Sequence, residues 1–271
     1  MDMFVDTHCH VNMIVKQKFD ILLSADEVKR GKIILDEALS SNVSRIINVG
    51  TSFVESKNVI ELANQFDAFY AAVGIHPTDA QHATLADVAS MKQWFRGTGA
   101  EKIVGIGECG FDFYHQGLSK QKQEDFFVAQ IELALEFDRA VVVHSRDAYD
   151  ETLKVLERYK ANKMRAVIHC FSYDQQFADI VLSWGLYLGI GGTITYPKNE
   201  QLRSIVKTCD LSSIVLETDA PFLPIQSMRG KQNHPKHIKD IASAIATLKG
   251  VTLEEIGAVT TRNSFELFRM Q

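Results

Sequence analysis

Short runs rich in Val and Ile recur along the chain. They lack the in-out alternation of a half-exposed antiparallel strand, which marks them as strands of a parallel sheet buried on both faces. Eight such runs are present, at 3–9, 45–49, 69–75, 102–107, 140–144, 165–170, 186–191 and 213–218. Between them lie stretches of helical period, such as Phe127, Ile131, Ala134 and Leu135, or Tyr149, Leu153 and Leu156, each gathering apolar groups on one face. Acidic residues around 147–150 read as the first turn of one of these helices. Eight strand–helix units without a Pro- or Ser-rich linker predict an α/β fold: one (β/α)8 TIM-type barrel over residues 1–271, in preference to two doubly wound domains.

The ionisable residues cluster at the carboxyl ends of these runs. His8 and His10 close the first, His76 follows the third, Glu108 ends the fourth, His144 the fifth, His169 the sixth, and Glu217 with Asp219 the eighth. In a barrel those ends form one rim, on which active sites are assembled from several strands. Alternation places Asp6, His8 and His10 on one side of their strand, and Glu217 with Asp219 on one side of theirs. Cys9, Cys109 and Cys170 each follow a candidate ligand, so they are expected to face the helices as small packing residues. Four or five imidazoles gathered with several carboxylates would leave buried polar groups and repelling charges uncompensated unless a cation joined them. Imidazole and carboxylate without thiolate suit Zn, Mn or Fe, with Mg less natural. The number of donors exceeds what one ion needs and matches a two-metal hydrolytic site with a bridging carboxylate.

Composition narrows the picture without changing it. Hydrophobic content of 46% and charged content of 23% are ordinary for a globular chain, and the formal net charge of −5 supplies no global field for phosphate backbones or anionic lipid. Any anionic substrate must meet local positive charge. The segment 223–239 contains no Asp or Glu but carries Arg229, Lys231, Lys236, Lys239, His234 and His237, and Arg146 lies beside His144. The four cysteines form no close pair, and no apolar run approaches the roughly 18 residues of a membrane span. With a start that lacks a basic, apolar leader, this predicts a cytoplasmic protein with no membrane association and no evident obligate protein partner. Gly105-Ile106-Gly107-Glu108-Cys109-Gly110 fits the spacing of a dinucleotide-binding fingerprint. The following Phe111-Asp112-Phe113-Tyr114 does not open an amphipathic helix, which argues against that reading.

The motifs together resemble the TatD-type metal-dependent deoxyribonucleases, a branch of the amidohydrolase-like barrels. The resemblance runs through Asp6-Thr7-His8-Cys9-His10, Gly74-Ile75-His76-Pro77, Gly107-Glu108-Cys109-Gly110-Phe111-Asp112 and His144-Ser145-Arg146-Asp147-Ala148. It continues through His169-Cys170-Phe171-Ser172, Glu217-Thr218-Asp219-Ala220-Pro221, Arg229-Gly230-Lys231-Gln232-Asn233-His234-Pro235 and Thr260-Thr261-Arg262-Asn263. It implies one divalent ion (Zn, Mn or Mg) held by His8, His10, Glu108 and Asp219, with Glu108 bridging to a second held by His144 and His169. It also implies hydrolysis of DNA phosphodiesters, commonly as a 3′-to-5′ exonuclease, with some members acting at abasic sites or on RNA. On this reading Asp219 and Glu108 are catalytic. His76, Arg146, Arg229 and Lys231 would bind phosphate, and Asp6, Asp112 and Glu217 would support the ligands. The family pattern is departed from at 12–30, a longer connection than usual, and at Tyr173, where a Gly is common. The competing expectations are a small-molecule amide, lactone or phosphoester hydrolase on the same barrel, and a metal- or nucleic-acid-binding protein without turnover.

Overall fold

A computed structural model describes residues 3–16 and 18–270. All eight strands form, in sequence order, as one parallel sheet: β1 Phe4–Cys9, β2 Val43–Val49, β3 Phe69–Val73, β4 Ile103–Asp112, β5 Ala140–Arg146, β6 Ala166–Ile168, β7 Tyr187–Ile190 and β8 Ile214–Leu216. The sheet curls until β8 meets β1 again. There the Asp219 N–H donates to the His8 carbonyl, the His10 N–H to the Ala220 carbonyl, and the Thr7 hydroxyl to the Leu216 carbonyl. The architecture is therefore the expected TIM-type barrel.

The apolar residues divide into two layers. The larger joins the outer faces of the strands to the surrounding helices. The smaller lines the barrel interior with Val5, Ile47, Val49, Tyr70, Ala72, Val104, Val142, Val167 and Val215. It is completed by Leu267, Phe268 and Met270 from the end of the last helix, Leu253–Phe268, and the residues after it. The helix Lys120–Glu136 buries Phe127, Ile131 and Ala134 as its periodicity predicts. The helix Tyr149–Glu157 begins later than 147, with Asp150 and Glu151 in its first turn and Asp147 left-handed before it at φ 54°.

Four register shifts interrupt the pairing, and two of them bear on the rim. Between Asp6↔Ile46 and Cys9↔Asn48, two residues of β1, Thr7 and His8, face one of β2. Between Ile106↔Val141 and Cys109↔Val143, Gly107 and Glu108 together face Val142. These are β-bulges, which bend a strand and re-aim its side chains. β4 also runs on to Asp112, so Glu108 lies inside it rather than at its end. The glycine fingerprint is explained by the same pairing. Gly107 and Gly110 sit at φ 135° and 142° where a Cβ would meet the Val142 and His144 carbonyls, so both are needed for β4 to lie against β5.

The long connection at 12–30 contains a short helix, Val11–Val15, and a turn leading to the helix Ala25–Leu39, which Ser24 and Glu27 cap reciprocally; Gln17 lies outside the described residues. The turn is pinned from within by Glu55. Its carboxylate pairs with the buried Lys16 ammonium and accepts from the Asp20 N–H (2.7 Å), the Asn12 amide (2.8 Å) and the Asn58 amide (3.0 Å). No helix among the described residues is long and apolar enough to cross a membrane.

Candidate metal centre

The carboxyl ends of the strands enclose a cavity of about 720 Å³ whose floor is a cluster of histidines and carboxylates. Glu108, at the β4 bulge, stands in the middle. Its Oε2 lies 3.4 Å from His8 Nε2 and 3.9 Å from His10 Nε2. Its Oε1 lies 2.5 Å from His144 Nδ1, 3.7 Å from His76 Nε2 and 3.8 Å from His169 Nε2. The two oxygens of one carboxylate thus face two separate sets of imidazoles. Asp219, left-handed at φ 56° just after β8, turns its Oδ1 to within 3.4 Å of His10 Nε2, 3.7 Å of His8 Nε2 and 3.8 Å of His169 Nε2. Such a backbone conformation is uncommon outside glycine and is retained here where it aims a carboxylate.

The donor set fits divalent cations on chemical grounds. His8 Nε2 and His10 Nε2 are 3.1 Å apart and both buried, an approach that two acceptor lone pairs do not make without a shared proton or cation. Two rings have their far nitrogens hydrogen-bonded, His10 Nδ1 at 2.8 Å from the Val49 carbonyl and His144 Nε2 at 3.1 Å from Asp112 Oδ2, while His169 Nδ1 makes an ion-pair contact with Glu217 Oε1 at 3.1 Å. An N–H donated outward leaves the other nitrogen's lone pair facing the cluster, which is how outer carboxylates and carbonyls orient metal-binding histidines. The atoms of His8, His10 and Glu108, and those of His76, Asp112 and His144, form groups compact enough to hold an ion.

The charges in this site respond to one another. Burial pulls His169 down, but Glu217, Glu108 and Asp219 outweigh it and raise its pKa to about 10. Burial and the neighbouring His144 depress His76 to about 3, so its imidazole is neutral at physiological pH. Burial opposes ionisation of Glu108, yet the imidazoles of His169, His76 and His144 hold it well below the usual carboxylate range.

The six residues named as ligands come together, and the carboxylates of Asp112 and Glu217 lie against the rings of His144 and His169. Asp6 does something else. Its carboxylate accepts from the Thr218 N–H (2.9 Å), the Thr218 hydroxyl (2.6 Å) and the His8 N–H (3.3 Å), tying β8 to β1, and burial raises its pKa to about 8. Glu217 fits only because Gly189 has no side chain; a Cβ there would collide with its carboxylate. Cys9 and Cys109 pack outward as anticipated. Cys170 instead lines the cavity at φ 48°, because β6 ends at Ile168 and strand alternation stops before it. His76 sits within the cluster. Arg146 lines the cavity with its guanidinium 3.6 Å from the Tyr114 ring centroid. Arg229 rests on the Tyr196 ring at 4.6 Å, and neither it nor Lys231 lines the cavity. Tyr173 accepts from the Ala148 N–H (3.0 Å) and bonds Ser145 (2.8 Å), bracing the turn that follows Arg146. Sequence reasoning missed Phe222, Thr193 and Asn199 on the cavity wall, none of which bears a charge.

The barrel and its rim of imidazoles and carboxylates are those of a metal-dependent hydrolase. The chain belongs to the TatD-related DNase family, whose model matches residues 5–269. It is 33% identical over 268 residues to the uncharacterized metal-dependent hydrolase YabD of Bacillus subtilis (strain 168), covering 99% of this chain and 100% of that protein. It is 29% identical to the 3′-5′ ssDNA/RNA exonuclease TatD of Shigella flexneri serotype 5b, covering 92% of this chain and 98% of that one. The crystal structure of YjjV, a TatD homolog from Escherichia coli K12, superposes with a TM-score of 0.88 at 28% identity, over 99% of this chain and 98% of YjjV.

Proposed function

We propose that this protein hydrolyses phosphodiester bonds of DNA, as a 3′-to-5′ exonuclease that also accepts RNA, in the cytoplasm, with two divalent ions per chain. The observation that carries this reading is the position of Glu108 between two sets of imidazoles, one oxygen toward each. His8, His10 and Asp219 would hold one ion and His144 and His169 the other, with Glu108 shared; the single domain would span residues 1–271. When bound, such ions lower the pKa of an attacking water and neutralise charge on the displaced oxygen.

The chain's own part is positional and protolytic. Asp219, held below its ordinary pKa by His10, His169 and His8 against the opposing effect of burial, is ionised and able to accept the water's proton. Arg146, stacked on Tyr114 with its N–H edges free of any carboxylate partner among the described residues, would grip a phosphate oxygen. Neutral His76 would donate a hydrogen bond to another. The similarity to the Shigella exonuclease supports the substrate class. A second reading, hydrolysis of a small amide, lactone or phosphoester, is favoured by one fact: Arg146 is the only Lys or Arg on the cavity wall among the described residues.

The test is to strip the protein with chelator, restore Mg, Mn or Zn, and supply end-labelled single- and double-stranded oligonucleotides. Stepwise shortening from the 3′ end is expected. Absence of cleavage with every metal, alongside turnover of a small ester or lactone, would overturn the nuclease reading.

A further inference from the structure

Among the described residues, Phe222 (48% exposed) is the one large exposed apolar side chain that lines the cavity. Scattered exposed apolar residues are normal and need no function. Phe222 differs in how firmly its backbone is held. Its N–H donates to the Asp219 carbonyl at 2.8 Å, and its own carbonyl accepts from the Asn233 amide at 2.8 Å. Asn233 is fully buried, holds the Thr218 carbonyl as well (2.8 Å), and is itself anchored through Oδ1 to the His234 N–H and the His237 ring. A buried amide is thus committed to fixing a turn whose tip is an open aromatic ring. The ring centre lies 6.0 Å from that of His10, with the planes at 69°, so the two rings do not cover each other face to face.

The cavity wall is chemically divided. Arg146 at the end of β5 supplies the cation, while Phe222, Leu223, Thr193 and Asn199, from the β7 and β8 side, form an uncharged wall. A nucleotide is divided in the same way, with an anionic phosphate and a flat base whose faces are apolar and whose edges carry amide-like donors and acceptors. Resting on the nuclease reading above, we propose that Phe222 is the platform on which a base next to the scissile phosphate stacks, with Asn199 and Thr193 facing its polar edge. Every base has a face to offer, so the contact selects an unstacked, single-stranded end without selecting sequence. A base inside a duplex is covered on both faces and only the terminal pair shows one, so the penultimate base reaches the ring only once it is unstacked. Phe222 would thereby favour single-stranded ends rather than take part in bond cleavage.

The test compares oligodeoxynucleotides that carry either a natural base or a tetrahydrofuran abasic residue at each of the two nucleotides flanking the terminal phosphodiester. The quantity read is the ratio of kcat/KM for the base-bearing and abasic substrates in wild type, Phe222→Ala, Phe222→Leu and Phe222→Trp. At one of the two positions the ratio should fall roughly tenfold in Phe222→Ala, the size expected for one stacking contact, and mainly through KM. Phe222→Leu should fall part of the way, and Phe222→Trp should keep or raise the ratio, which also shows that the turn still folds. A ratio unchanged at both positions in Phe222→Ala, with both substrates slowed alike, would overturn the proposal and make the ring a support for His10. Wild-type protein inert on every oligonucleotide with Mg, Mn and Zn would overturn the nuclease reading, and the stacking role with it.

Discussion

Glu108 and Asp219 differ in what their loss should do. Replacing either carboxylate by its amide removes a charge that no nearby group can supply, so Glu108→Gln and Asp219→Asn should each lower hydrolysis by about a thousandfold or more while the fold survives. Because Glu108 faces both sets of imidazoles, its variant should lose more than one equivalent of metal, whereas Asp219→Asn should lose chiefly one. Elemental analysis of purified variants checks this, and equal losses would remove the bridging role. Asp6 makes a prediction of opposite character. Its pKa, raised to about 8 by burial, exceeds the unfolded value, so the folded state holds a proton that the unfolded chain releases. The stability it contributes is complete below about pH 4 and is lost as pH rises through about 8. Denaturant unfolding of wild type and Asp6→Asn at pH 5 and pH 8 should therefore show the wild type losing more stability over that interval than the variant.

At the scale of elements, the informative contrast is between the connection after β1 and the bulges inside β1 and β4. The connection has little apolar core of its own: Phe19, Ile21 and Leu22 are exposed, and its shape depends on Glu55 reaching up from the helix Phe53–Gln65. Glu55→Ala would strand the buried Lys16 ammonium and leave the Asn12, Asn58 and Asp20 donors without their acceptor. A loss of about 3–5 kcal/mol is expected, as for other broken buried pairs. Lys16→Met with Glu55→Gln should recover part of it. Urea unfolding measures both, and a single variant as stable as wild type would show the turn to be independent of the pair. The bulges work in the opposite sense. They interrupt regular pairing at His8 and Glu108, inside strands that are otherwise well buried, and so fix the aim of the central ligands by strand geometry rather than by a loop.

On the scale of the whole molecule, the barrel is a vessel with a chemical end and a structural end. The histidines and carboxylates occupy the carboxyl ends of the strands, and Leu267, Phe268 and Met270 plug the interior from the last helix. Phe268 is buried against that inner layer, so Phe268→Ala should cost about 3–5 kcal/mol. Since no candidate ligand belongs to that inner apolar layer, the metal content of the folded fraction should be unchanged. A variant that loses metal in step with stability would show the two ends to be coupled.

The order of strands and helices, the barrel, and the attachment of His8, His10, His169 and Asp219 to strand ends were legible from the chain, with His144 two residues inside β5. They follow from local periodicity and from the chemistry of residue types, neither of which needs a partner in space. Three things were decided only by tertiary structure. The pairing of β4 with β5 placed Glu108 within a strand and turned a glycine fingerprint into a packing requirement. The early end of β6 brought Cys170 into the cavity. The turn after Asp219, clasped by Asn233, put Phe222 on the wall while Arg229 and Lys231 stayed outside it. In each case the outcome depends on which residue of a neighbouring strand or loop stands opposite. That register is a property of the closed barrel, and hydrophobic periodicity along a single strand carries no record of it.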